Sequence, residues 1–378
     1  MKKKDLQVLY IITKLELGGA QKVCLSLFEG LQSLGKNTYL ISGNEGPLAD
    51  QVKNNSRVHL LPDFKREISL KMLVLEIKNF FKLIKYIRGL CKQHPHLIVH
   101  THSTKAGLIG RWAAFLAGVK TRIHTVHGYH FHMHQSWPIW LVSYFLELLT
   151  SLITTHYVCV SSADVAYGIK LLPLFKMKNS IIRAAVAWEQ FYIPAKLTTL
   201  LDEKPFIIGT VACFKKQKNI DELLEAFAKA YQKNPLLRLE ILGDGALRKT
   251  FEDWITNHNL TSVITLHGWQ NNVSLFMQTW QAFALTSLWE GLPCAIVEAR
   301  LMKLPVLSYN TGGIQDVINS NKNGFLYAQH NWQEMADDMV KISLNKELYN
   351  RLSSNQEDLS AFHDTTMVQE HINLYQSY

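Results

Sequence analysis

The sequence predicts an α/β protein of two Rossmann-like, doubly wound domains that face each other across a cleft. Short apolar runs alternate with helical patterns along the chain, as parallel strands covered by helices on both faces require. A length of 378 residues exceeds what a single core usually supports, and 47% apolar content is ample for two. Ligands of such sheets bind at the carboxyl ends of the strands.

In the first half the strand-like runs are 7–13, 38–42, 58–61, 97–101, 122–126 and 157–160. Met1-Lys-Lys-Lys-Asp5 precedes an apolar run of only about seven residues, which reads as a first strand and is short for a signal sequence. After it, Gly18-Gly19-Ala20-Gln21 makes a short glycine turn opening a helix. Neither G-x-G-x-x-G nor G-x-x-x-x-G-K-[ST] occurs, which argues against dehydrogenase and P-loop readings. Gly18 and Gly19 suit either a plain turn or close backbone approach to a ligand.

Between positions 65 and 88, Lys71, Lys78, Lys82, Lys85 and Arg88 recur among Leu73, Ile77, Phe80, Phe81, Leu83, Ile84 and Ile87. Such a basic amphipathic helix suits an anionic membrane surface or a solvated helix packed on the sheet. No nucleic-acid motif accompanies the charge. His127-Gly128 ends a strand, with His124, His130, His132 and His134 around it. Their spacing matches no usual zinc pattern, so no metal site is expected. Residues 129–136 form either a lid on the acceptor side or an ordinary exposed loop. The apolar stretch 137–157 contains Glu147 and Pro138 and leads straight into a strand; a buried or interfacial helix explains it better than a membrane span.

The polar stretch 194–205, with two prolines and mixed charge, reads as a linker between domains of residues 1–193 and 206–360. Beyond it the runs 207–212, 238–242, 263–266, 282–286, 305–309 and 324–327 repeat the scheme. Lys218-Asn219 closes the loop after the first of these. His267-Gly268-Trp269 follows the third, where Trp269 is placed to stack on a base or to serve as an ordinary surface or core tryptophan. After the fourth comes Glu290-Gly-Leu-Pro-Cys-Ala-Ile-Val-Glu298. Pro293 suits the first position of a helix, and a helix N-terminus suits an anion such as a diphosphate. Carboxylates beside an anion site are better used on hydroxyls, one on a sugar ring and one on a ribose. Two ordinary glutamates of a loop and a helix fit the window equally.

Taken in order, Gly18-Gly19, His102-Ser-Thr-Lys105-Ala-Gly107, Gly110-Arg111, His127-Gly128, Lys218-Asn219, Gly243-Asp-Gly245, His267-Gly268, the glutamate window, Gly312-Gly313 and Asn323-Gly324 resemble family 4 of the retaining, GT-B-fold glycosyltransferases over nearly the whole chain. The likeness is greatest to bacterial enzymes that build surface polysaccharides. It implies that residues 361–378 form a helix crossing back to the first domain. It also implies catalytic roles for His127, Glu290 and Lys218, with His127 beside the transferred sugar and Lys218 on the donor diphosphate. Gly19, Lys218, Asn219, Gly268, Trp269, Glu290, Gly291, Leu292, Pro293, Cys294 and Glu298 would bind the donor, with Glu298 on the ribose. Gly18, Gly19, Lys105 and His130 would bind the acceptor. The family's arginine five residues before the lysine is Cys213 here, and Lys215, Lys216, Arg183 or Arg111 would have to compensate.

The expected function is retaining transfer of a sugar from a nucleotide-diphosphate sugar, UDP-linked rather than GDP-linked, to a hydroxyl of a glycan or polyprenyl-linked acceptor, without a metal or other cofactor. A fixed cation at the leaving diphosphate stabilises the transition state more than the ground state. Glu290 and Glu298 do not read as a glycosidase pair flanking one bond, so the departing diphosphate itself would take the acceptor proton. A nucleotide-sugar 2-epimerase and an inactive nucleotide-sugar-binding relative are the alternatives. Five scattered cysteines without a C-x-x-C argue for the reducing cytoplasm. Residues 1–190 hold 24 Lys and Arg against 11 Asp and Glu, and the remainder 16 against 20. That asymmetry suits a peripheral position on the anionic inner face of the cytoplasmic membrane.

Overall fold

The computed structural model describes residues 6–16, 18–62, 64, 73–129, 135–194 and 204–378, with the backbone alone at 73–76. The chain forms two compact units, Met1–Ala185 together with Ser360–Tyr378, and Val186–Leu359. The boundary falls at Ala185, not at 193 as expected from the sequence. The reason is local: Trp188–Phe191 forms a short helix packed on helix Cys294–Leu301, and the Ile193 N–H donates to the Leu301 carbonyl at 3.3 Å. Residues 195–203 of the expected linker, residues 65–72 of the basic stretch and residues 130–134 of the histidine-rich loop lie outside the described residues.

In the first unit seven parallel strands, β1 (Gln7–Ile11), β2 (Asn37–Gly43), β3 (Val58–Leu61), β4 (Ile98–His102), β5 (Thr121–Val126), β6 (His156–Cys159) and β7 (Asn179–Ile181), lie in the order β3-β2-β1-β4-β5-β6-β7. The six runs expected there are strands with ends no more than two residues from those expected. The seventh is too short and polar to show a strand pattern. Helices α1 (Gly19–Ser33), α2 (Pro47–Val52), α3 (Leu73–Gln93), α4 (Thr104–Leu116), α5 (Trp137–Ile153) and α6 (Ser162–Leu171) connect them. The α3 face that carries Leu83, Ile84 and Ile87 is buried in the core with Leu9, Ile41 and Val99. Strand order reverses between β1 and β4, which puts the loops after these two strands at the switch point.

The C-terminal segment of this unit ends in a helix, Asp364–Gln376, packed on α1. Tyr375 anchors it: its hydroxyl meets Tyr10 Oη at 3.0 Å and His100 Nδ1 at 2.5 Å, and His100 Nε2 meets Thr125 Oγ1 at 2.7 Å. A buried hydrogen-bonded chain therefore ties the end of the sequence to β1, β4 and β5.

Glu147, the charge inside the apolar stretch, points inward. Its two oxygens accept from Arg111 Nη1 and Nη2, each at 2.8 Å, and it also accepts from Tyr157 Oη at 2.8 Å. Arg111 is fully buried and also donates to the Gly107 carbonyl and Thr154. Among the described residues no helix is long and apolar enough to cross a membrane.

The second unit has six parallel strands, β8 (Phe206–Val211), β9 (Leu237–Leu242), β10 (Ile264–Gly268), β11 (Ala282–Leu285), β12 (Val306–Tyr309) and β13 (Gly324–Tyr327), in the order β10-β9-β8-β11-β12-β13. Here the reversal lies between β8 and β11. Gly209 of β8 sits under the Trp280 ring: a Cβ there would lie 1.9 Å from it, so no larger residue fits.

Removing one partner of a buried ion pair leaves the other charge uncompensated. Glu147→Ala should therefore destabilise the first unit by about 3–5 kcal/mol, and Arg111→Met/Glu147→Leu should recover most of the loss. Denaturant unfolding of the three proteins checks this.

Candidate active site

In the second unit the two switch-point loops meet. The loop after β8 ends in a 3₁₀ turn, Lys216–Lys218, followed by Asn219 in the left-handed conformation (φ 48°). The loop after β11 carries Glu290. Lys218 Nζ and Glu290 Oε1 form a close ion pair, mostly shielded from solvent, with 19% and 10% side-chain exposure. The backbone beneath is fixed from several sides. Thr286 Oγ1 donates to the carbonyls of Asn219 (2.8 Å) and Lys218 (3.2 Å). The Leu288 N–H donates to the Gln217 carbonyl, and Gln217 Nε2 donates to the Trp289 carbonyl at 2.7 Å. Gln329 and Thr311 both donate to the Leu288 carbonyl.

The turn after Glu290 depends on a glycine outside the window itself. Gly291 has no positive φ, whereas Gly312 (φ 55°) passes so close that a Cβ would lie 2.1 Å from the Glu290 carbonyl oxygen. The next residue, Gly313, donates its N–H to the Gly291 carbonyl at 2.5 Å. Leu292 is buried. Helix Cys294–Leu301 starts one residue later than expected, with Pro293 as its cap in an extended conformation and no acidic residue in its first turn. Glu298 is its fifth residue and half-buried. At the end of β10, Gly268 (φ 72°) accepts from the Gly243 N–H at 2.8 Å, and Trp269 beside it is 59% exposed. Lys218, Asn219 and the window from Glu290 to Glu298 thus lie on the β8 and β11 loops, and Gly268 with Trp269 lies two strands away.

In the first unit Gly18 caps α1, and Gly19 is its first residue. The loop after β4 is joined to the loop after β1 by Thr13 Oγ1 and Ser103 Oγ, 2.8 Å apart. Ser103 itself has φ 64°, and Lys105 is the second residue of α4. His127 follows β5, and its Nε2 lies 3.1 Å from His102 Nδ1 at the end of β4. His102 stacks on His100 with ring centroids 4.6 Å apart, and His371 of the terminal helix lies 5.5 Å from His100. His130 lies outside the described residues. Among those described, no group of three or more His, Cys, Asp or Glu side chains is arranged to hold a metal.

Two of the cations named as substitutes for the missing arginine are engaged elsewhere. Arg111 is locked to Glu147, and Arg183 donates to the Val160 carbonyl at 2.9 Å and lies over the Phe362 ring. Lys215 and Lys216 are exposed on the same loop as Lys218. Sequence reasoning did not single out Gln217 and Thr286, whose work is to brace backbone, or His100 and His371, whose proximity to His127 depends on strand pairing and on the final helix. Gly312-Gly313 was visible as a pair, but its contact with Glu290 was not.

The profile of Glycosyltransferase Family 4 matches residues 17–183, and that of Glycosyl transferases group 1 matches residues 196–358. The chain is 34% identical over 350 residues to an Escherichia coli UDP-Gal:alpha-D-GlcNAc-diphosphoundecaprenol alpha-1,3-galactosyltransferase, covering 90% of this chain and 88% of that one. It is 23% identical to the Staphylococcus aureus capsular polysaccharide biosynthesis glycosyltransferase CapM, covering 86% of each. In fold it is similar to Anabaena HepE in complex with UDP, with a TM-score of 0.80, 17% identity and coverage of 99% of this chain and all of the other.

Burial holds the His127 and His371 imidazoles down at about 4, and His100, His102 and His124 well below the usual 6.5. In the unfolded chain these rings take protons near pH 6.5, and in the fold only near pH 4 or lower. The unfolded state therefore binds more protons between those values, and stability falls as the pH drops through that window. His371 alone should account for about 3 kcal/mol across it. The stability of the first unit should fall steadily from pH 7 to pH 4, and His371→Gln should flatten the slope; equal slopes in denaturant unfolding would contradict the assignment.

Proposed function

Because the chain belongs to the family 4 glycosyltransferases and is a retaining enzyme of GT-B fold, moving a sugar from a nucleotide-diphosphate donor to a glycan or lipid-linked glycan hydroxyl, we propose that its donor is a UDP-sugar. We propose further that its acceptor is a sugar carried on a polyprenyl diphosphate. The observation that carries a diphosphate-sugar donor is the ion pair of Lys218 with Glu290 on the two switch-point loops, a cation for the diphosphate beside a carboxylate for hydroxyls. The name of the 34% identical relative, which acts on UDP-Gal and a diphosphoundecaprenol-linked sugar, supports both choices.

In the resting protein the pair keeps a cation and a carboxylate in place side by side. On donor binding, the diphosphate takes over Lys218 and the start of helix Cys294–Leu301, where backbone N–H groups favour an anion. Glu290 then accepts hydrogen bonds from the donor sugar, and Glu298 from the ribose. As the C1–O bond to the diphosphate breaks, its electron pair goes to the phosphate oxygen, which Lys218 stabilises. That oxygen accepts the proton of the incoming hydroxyl while the new C1–O bond forms on the same face. His127, kept uncharged by the desolvation of its ring, steadies the transferred sugar. Gly18, Gly19, Lys105 and His130 serve the acceptor, and no metal takes part. The basic first unit holds the enzyme on the anionic inner face of the cytoplasmic membrane.

Release of UDP that requires a polyprenyl-diphosphate-linked acceptor tests this reading, and chelator should leave it unchanged. Glu290→Ala and His127→Ala should each lower turnover at least about tenfold, or roughly 1.4 kcal/mol, with the melting temperature preserved; wild-type turnover in both would sink the assignment. With Arg111 and Arg183 engaged, charge compensation for Cys213 falls to the β8 loop. Lys215→Ala/Lys216→Ala should therefore raise the donor KM severalfold without a matching fall in kcat.

A further inference from the structure

Helix α5 is amphipathic in the inverted sense. Its buried residues include Glu147, Thr150 and Ser151. Glu147 is paired with Arg111, and Thr150 accepts from Trp112 Nε1 at 3.0 Å. Facing away from the sheet, Trp137, Ile139, Val142, Phe145, Leu149 and Leu152 are each at least half exposed. Their spacing of three and four residues places Val142, Phe145, Leu149 and Leu152 in one stripe. The only charged residue of α5 is the buried Glu147, so its outer face bears no charge at all. Water gives no reason to turn the polar residues of a helix inward and the large apolar ones outward, and contiguous exposed apolar surface of this kind marks an interaction site.

The surroundings say what covers it. Residues 77–182 contain twelve Lys and Arg and only two carboxylates, Glu147 and Asp164, both of them buried. Along this stretch of chain, which carries α5, the described residues therefore offer cations and no exposed carboxylate. Tyr144 Oη donates to the Leu171 carbonyl, which sets the turn after α6 beside α5. There Leu174 and Met177 extend the apolar surface, and Lys170 and Lys176 are exposed next to them. At the other end Arg122 donates to the Ile153 carbonyl and Lys178 to the Ser151 and Thr154 carbonyls, at the last turn of α5 and the residue after it. An uncharged apolar face framed by cations matches the acyl boundary and headgroups of an anionic bilayer, where such helices lie parallel to the surface with one face sunk about 5–10 Å.

We propose that α5 lies in the interface of an anionic lipid membrane with this outer face embedded, and that Lys170 and Lys176 contact the headgroups. The proposal rests on the membrane reading above and changes its element, because Leu83, Ile84 and Ile87 of α3 are spent on the core and leave only Ile77 and Phe81 exposed among its described apolar side chains. It also gives a lipid-linked acceptor a short route. Nine residues separate His127 from Trp137, so the histidine lies within about 35 Å of chain from the membrane-embedded helix.

The test is flotation of the full chain with vesicles of phosphatidylglycerol and phosphatidylethanolamine, against vesicles of phosphatidylcholine alone. The wild type should float with the anionic vesicles and at least tenfold less with the neutral ones. Val142→Ser/Phe145→Ser/Leu149→Ser, all surface changes, should lower flotation at least tenfold while melting temperature and turnover on a short-chain, water-soluble acceptor stay the same. Lys170→Ser/Lys176→Ser should weaken flotation mainly at low salt. Undiminished flotation of the triple variant would overturn the role of α5. So would a wild type that fails to float but forms a dimer in light scattering that the triple variant abolishes, since a second copy would then cover the face. Turnover on the soluble acceptor reports separately on the proposed reaction: its absence in the wild type would count against the transferase reading and leave the flotation result standing.

Discussion

The contact of Lys218 with Glu290 is the interaction around which the two switch-point loops of the second unit are arranged. It joins the loops after β8 and β11, the two strands between which the sheet order reverses. Almost every hydrogen bond described around it fixes backbone, not side chains. Thr286 holds the carbonyls of Lys218 and Asn219, Gln217 bridges to the carbonyl of Trp289, and the glycines after β12 close on Glu290 and Gly291. A cation and a carboxylate left to exposed, unsupported side chains would gain little from each other. Held on rigid loops, they are already placed for a ligand with a diphosphate at one end and hydroxyls at the other.

The first unit solves a different problem, since a set of its polar groups lies in the core. Tyr10, Tyr375, His100 and Thr125 form a hydrogen-bonded chain through the sheet, and Arg111 with Glu147 forms a bidentate pair. Buried polar groups are tolerated when they are paired, and they specify a single arrangement. Here they lock the terminal helix onto the sheet and fix the rotation of α5. Turning Glu147 inward is what turns Val142, Phe145 and Leu149 outward, so one buried ion pair sets the character of a whole surface.

Most of the architecture was legible in the sequence, because parallel strands buried on both faces leave apolar runs that helical patterns interrupt. The edge strand Asn179–Ile181 was not, being three residues long and mostly polar. The domain boundary was placed too late because prolines and charge at 194–205 mark a flexible composition, whereas the contacts of Trp188–Phe191 with helix Cys294–Leu301 are tertiary. Glu290, Lys218 and His127 stood out because they follow strands in recognisable windows. The residues that position them did not: a threonine at a strand end, a glutamine in a turn, or a histidine on the last helix carries no local mark of its task. Arg111 and Arg183 were misjudged for the same reason, since a sequence shows an arginine's charge and not the carboxylate or carbonyl that already holds it. Nor did the apolar stretch 137–157 disclose which side of its helix would face out.

The central claim is that Lys218 holds the donor diphosphate, and calorimetric titration tests it most directly. UDP and uridine would each be titrated into the wild type and Lys218→Ala in the presence of chelator. The account predicts that the substitution weakens UDP at least tenfold and leaves uridine unchanged, because only UDP presents the diphosphate. Equal affinity of both proteins for UDP, or an equal loss for UDP and uridine, would contradict it.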